Sequence, residues 1–133
     1  EDVTQLRTHR SGITLRDLVR STMRLRPDRI IVGEVRGGEA LDLLKAWNTG
    51  HPGGITTLHA NSASSALTRL EQLVEEATTA LPHALIGEAV DVIVFMSRAS
   101  GARRVEQALR ITGFDGAESR TEPLAAPFLN IVN

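Results

Sequence analysis

Cysteine is absent from this 133-residue chain. That excludes a disulfide framework and any thiolate-bound zinc or iron–sulfur centre. A reducing, cytoplasmic setting is the simplest one for such a chain. Aromatic residues are scarce at 3%, with one tryptophan and no tyrosine, too few for a platform that stacks single-stranded nucleic acid. Charge of neither sign dominates: fifteen basic side chains face sixteen acidic ones. No broad basic face for DNA follows from that balance, and no sequence-specific nucleic-acid binding is expected. No stretch approaches the ~18 consecutive apolar residues of a membrane span. The opening Glu1-Asp2 lacks the basic start and apolar middle of a signal peptide. Lysine is nearly missing. Lys45 stands alone against fourteen arginines and sits between Leu44 and Ala46. The chain therefore holds no Gly-x-x-x-x-Gly-Lys-Ser/Thr phosphate loop. His51 and His59 flank a glycine turn without helical zinc spacing, and no serine sits in a Gly-x-Ser-x-Gly elbow.

What is present suffices for one compact domain with a buried core. Thr14 precedes the helical series Leu15, Leu18, Val19, Thr22 and Met23, and Asp17 completes a capping box. Pro27 should stop that helix near Arg26. Arg29 to Val32 reads as a short buried strand, followed by a turn over residues 33–38. Ala40, Leu41, Leu44 and Trp47 return to helical spacing, with Trp47 more suited to core than to stacking, and Gly50 suits a C-cap. Ile55 to Leu58 reads as a second strand. Asn61 and Ser62 can start a helix with the apolar face Ala63, Ala66, Leu67, Leu70, Leu73, Val74 and Ala77. Pro82 opens another helix, running to about Ala89. Asp91 to Met96 is the most strand-like segment. Arg103 to Thr112 follows as a last strand, paired to it through a Ser100-Gly101 turn. Strands alternating with helices predict an α/β fold with a mostly parallel sheet and flanking helices. A tail separates after about Gly116, so residues 1–116 form the body and 117–133 the tail.

Two segments end strands in polar groups. In open α/β sheets, ligands bind beyond the carboxyl ends of the strands. Glu34 stands there after Val32-Gly33, where an acid can hold hydrated Mg²⁺ or orient an attacking water. Gly33 allows close approach of backbone or ligand. Thr56, Thr57, His59 and Asn61 end the second strand. If the strands are parallel neighbours, His59 and Glu34 emerge on one edge. Taken singly, each fits an ordinary role: Glu34 a solvated turn residue, His59 a packed strand end. Arginine forks bind phosphate. Of the arginines at 7, 10, 16, 20, 24, 26, 29 and 36, Arg16 and Arg20 look like a helix surface, whereas Arg7 and Arg10 lie in a loop.

The run MRLRPDRIIVGEVRGGEALDLLKAWNTGHPGGITTLHANS, residues 23–62, resembles the traffic ATPases of type II and type IV secretion and of type IV pili. It is most similar to the conjugal-transfer ATPases called TrbB. The resemblance implies a RecA-like P-loop NTPase fold, of which this chain supplies the C-terminal half without Walker A. It makes Val32-Gly33-Glu34 an atypical Walker B, with Glu34 acting on Mg²⁺ and the attacking water. It makes His59 the histidine of the histidine box and Glu1-Asp2 the opening of the aspartate box. Arg7 and Arg10 become candidates for phosphate contact. The implied cofactors are ATP and Mg²⁺. The implied setting is a homo-hexameric, cytoplasmic ATPase, peripheral to the inner membrane and joined to other secretion or conjugation proteins. A different class is also open: a non-catalytic half-domain serving as an interaction module in the secretion assembly.

Overall fold

The computed structural model describes residues 2–9, 12–80, 82–99, 101–116 and 118–124. Its elements in chain order are α1 (Leu15–Thr22), a single 3-10 turn (Met23–Leu25), α2 (Glu39–Asn48), α3 (Ala63–Glu75), α4 (His83–Ala89), β1 (Val92–Ala99), β2 (Ala102–Phe114) and β3 (Ser119–Pro123).

Local chemistry sets the helix limits. Before α1, Asp17 N–H donates to Thr14 Oγ1 at 3.2 Å, and Thr14 N–H returns a bond to Asp17 Oδ2 at 2.9 Å. This is the expected capping box, and it satisfies two end groups reciprocally. The 3-10 turn stops at Arg26, which takes a left-handed φ of 50° just before Pro27. Ser62 and Ser65 cap α3 in the same reciprocal way, with a hydroxyl where an acid is usual. Pro82 caps α4.

The helices close over a core centred on Leu43, Leu44, Leu73, Val74 and Ile86, all fully buried. Val19 of α1 and the strand-like residues Ile30, Val32 and Val35 complete it. Trp47 packs against this core as expected, and its indole N–H donates to the Ile30 carbonyl at 3.1 Å. Gly54 makes that approach possible: a Cβ there would fall 1.9 Å from Trp47 Nε1.

The expectation of a mostly parallel sheet needs correction. The one regular sheet among the described residues is antiparallel, ordered β1-β2-β3. The short link at Gly101, with φ of +83°, can only turn the chain back. The hairpin pairing of β1 with β2 is thus as expected, whereas β3 uses residues left unassigned in the tail. Parallel pairing survives as a short strip. Ile31 bridges Ile55 in parallel, Val32 N–H donates to Ile55 O at 2.9 Å, and Val35 N–H donates to Thr57 O at 3.0 Å. That strip lacks regular ladder length because, among the described residues, each segment has a partner on one side only. Ile31 and Ile55 are accordingly 68% and 61% exposed. An apolar cleft of about 790 Å³ separates residues 52–60 from residues 88–96, lined by Trp47, Ile55, Leu58, Val92 and Val94.

Candidate functional site

The parallel strip carries two polar side chains to the same end. Val32 and Val35 anchor the first segment in the core, so Gly33 and Glu34 project at its carboxyl end. Thr57 Oγ1 donates to the Gly33 carbonyl at 2.6 Å and ties the second segment to the first there. His59, two residues further on, then reaches Glu34: His59 Nε2 stands 3.1 Å from Glu34 Oε1. On the other carboxylate oxygen, Arg36 Nη2 lies 2.6 Å from Glu34 Oε2. One carboxylate is thus held between two basic groups.

Exposure divides these partners. The Glu34 side chain is 21% exposed, Arg36 77% and His59 93%. The Arg36 bond, reinforced by the charges of Arg36 and His59, holds the Glu34 carboxyl below the usual range, against a smaller opposing effect of desolvation. Glu34 is therefore an anion at neutral pH. Glu34 Oε1 is shielded from solvent, yet it accepts no hydrogen bond among the described residues. His59 has the distance of such a bond without its direction.

The turn that follows is built around the same group of residues. Glu39, the first residue of α2, accepts from Arg36 N–H at 2.8 Å and from Gly37 N–H at 3.2 Å. A Cβ on Gly37 would crowd the Glu39 and Glu76 carboxylates at 3.1 Å. A Cβ on Gly33 would meet nothing within 4 Å, so no neighbour among the described residues requires glycine there.

The other sequence candidates fall outside this cluster. Asp2 and Arg7 lie in an exposed segment without regular structure, and no hydrogen bond or ion pair joins either to Glu34 or His59 among the described residues. Glu1 and Arg10 lie outside the described residues. Arg36 is the residue that sequence reasoning left among eight arginines. Its position two residues after Glu34 and three before Glu39 was the available signal. Arg16 and Arg20 are not idle surface charges. Their Nε atoms each lie 2.9 Å from an oxygen of Asp42, which joins α1 to α2.

The chemistry of the donor set limits what these residues can hold. Among the described residues, no three His, Cys, Asp or Glu side chains converge on a point where a metal could sit. A single carboxylate fits Mg²⁺ that keeps its own waters and shares phosphate oxygens, the usual habit of that ion. No helix among the described residues is long and apolar enough to cross a membrane.

Residues 1–112 match the family described as type II/IV secretion system protein. The chain belongs to that family. It is 60% identical over 108 residues to the conjugal transfer protein TrbB of Rhizobium radiobacter, covering 81% of this chain and 33% of that protein. It is 39% identical over 102 residues to the type IV secretion system protein PtlH of Bordetella pertussis, covering 71% and 30%. Its fold matches the VirB11 ATPase of the Brucella suis type IV secretion system, crystallised in complex with sulphate. That match has a TM-score of 0.70 and 31% identity, over 76% of this chain and 33% of the other. This member of the type II/IV secretion family therefore spans about a third of the length of the relatives it matches. Its described part is an α/β portion of the VirB11 architecture.

Proposed function

We propose that this chain is the C-terminal part of the nucleotide-hydrolysing domain of an ATPase that powers conjugation or type IV secretion. In that reading, residues 1–116 belong to a RecA-like domain and 117–133 to its tail. The complete protein works as a cytoplasmic hexamer, peripheral to the inner membrane and in contact with other secretion proteins. The observation that carries the reading is the placement of Glu34 and His59 3.1 Å apart at the same end of two parallel neighbours. A further support is that, among the described residues, the 52–60 segment pairs by backbone only with residues 31–35 and borders the apolar cleft, where the phosphate-loop strand of a longer chain would fit.

Phosphoryl transfer to water needs positioning and charge stabilisation more than covalent chemistry. An ideal general base has a pKa near the working pH, whereas Glu34 is held well below that. Its role is therefore to orient the attacking water through an anionic acceptor. Mg²⁺, held through water by Glu34, would supply charge compensation to the phosphates. His59 can donate to a phosphate oxygen from its exposed position, and Thr57 keeps the two segment ends in register. The phosphate-loop lysine is not in this sequence: Lys45, its one lysine, lies in the last turn of α2. Asp2, Arg7, Glu1 and Arg10 are assigned to the nucleotide side through family resemblance. Gly33 keeps the strand end open for phosphate approach.

The test is a double-mutant cycle on ATP turnover by the complete protein. Glu34→Gln should cost about 100-fold in kcat, and His59→Ala about 10-fold. Nucleotide affinity should stay within about twofold, and the double variant should be no slower than Glu34→Gln alone. Fully additive losses would mean that the observed pairing has no part in turnover.

A further inference from the structure

The two oxygens of Glu34 are not equivalent, and Arg36 makes them so. Arg36 is fixed at both ends. Its backbone N–H is held by Glu39 Oε1 at 2.8 Å, at the start of α2. Its guanidinium reaches back to Glu34 Oε2 at 2.6 Å. That leaves Oε1 on the His59 side, shielded and without a hydrogen bond. A carboxylate that must orient a water gains from having one oxygen tied and the other without a competing donor, because the tied oxygen removes rotation about the terminal torsion. Since Oε1 is closed to solvent, a water reaches it only once His59, 3.1 Å away, moves aside.

We propose that Arg36 is a positioning residue for Glu34, pinning Oε2 so that Oε1 is the oxygen offered to the attacking water. This rests on the ATPase reading above. It makes Glu39 part of the same device, since Glu39 fixes the backbone from which Arg36 reaches. It also gives the Glu34-Val35-Arg36-Gly37-Gly38-Glu39 turn a physical logic. The two acids are bridged by one arginine, and Gly37 leaves room for the Glu39 carboxylate beneath it. The Arg36 side chain is 77% exposed, so the contact contributes little to folding and its effect is read in turnover.

The experiment compares Arg36→Ala, Arg36→Gln and Arg36→Lys in the complete protein, with Glu34→Gln beside them. The readouts are kcat, KM for ATP, equilibrium nucleotide affinity and Tm. The expected result is a kcat loss of about 10-fold for Ala and Gln. KM and affinity should stay within about twofold and Tm should not move. Lys should recover most of the loss, because one ammonium donor can replace the single contact to Oε2. The proposal is overturned by unchanged kcat in all three variants, by a raised KM with kcat preserved, or by a kcat loss that tracks a fall in Tm. A raised KM would make Arg36 a direct phosphate ligand. Lys no better than Gln would also contradict it, since the pin would then not be a charge contact. If Glu34→Gln itself retains turnover, the ATPase reading fails. If Glu34→Gln is inactive while the Arg36 variants are not, only the role of Arg36 fails.

Discussion

Two carboxylates in this chain each sit between two basic groups, with opposite consequences. Asp42 lies on the rigid face of α2, 15% exposed, and each of its oxygens has an arginine Nε at 2.9 Å. Glu34 lies beyond the end of a strand, 21% exposed, with one oxygen tied to Arg36 and the other unbonded beside His59. Asp42 is satisfied, and it fastens α1 to α2. Glu34 is held but incomplete. Charge and burial alone would rank the two as equals. What separates them is which oxygen has a donor directed at it, and whether the surrounding backbone is helix or strand end.

The comparison can be broken first at Asp42. Asp42→Ala should destabilise the protein by about 1 kcal/mol, because the two arginines are half exposed and such pairs are weak. In a domain of the relatives' size that is a Tm fall of about 3 °C. Turnover at a permissive temperature should stay within about twofold. A turnover loss as large as that at Glu34, measured well below Tm, would make Asp42 part of the reactive site and dissolve the contrast.

A smaller effect is expected at Asp17, in the first turn of α1. The two bonds from Thr14, with help from Arg20 and Arg16, hold the Asp17 carboxyl below its usual range. A carboxylate with a depressed folded pKa contributes stability above its unfolded pKa and loses it as pH falls through the folded value. The Tm difference between the native sequence and Asp17→Asn should thus be present at neutral pH and shrink in acid, below the ordinary carboxylate range. A difference independent of pH would mean that the cap works without the charge.

Much of this was legible from residues alone. The Thr14–Asp17 box, the stop before Pro27 and the hairpin at Gly101 each depend on local chemistry that the sequence displays. The convergence of Glu34 and His59 was legible too, through the rule that ligands gather at strand ends. Three features were not. β3 is Ser-Arg-Thr-Glu-Pro, almost wholly exposed; a strand held by backbone pairing has no alternation to read. The parallel strip is short because parallel strands draw length from neighbours, which no periodicity within one segment reports. Arg36 was one of eight arginines near the candidate segments, and what sets it apart is three-dimensional: its guanidinium turns back to Glu34 while Glu39 holds its backbone.

The most direct measurement is the turnover of Glu34→Gln in the complete protein at saturating ATP, with nucleotide affinity measured on the same sample. The account predicts a kcat about 100-fold or more below the native protein, with affinity and Tm unchanged. Turnover near the native rate, with nucleotide bound, would contradict it and leave Glu34 a solvated turn residue held by Arg36.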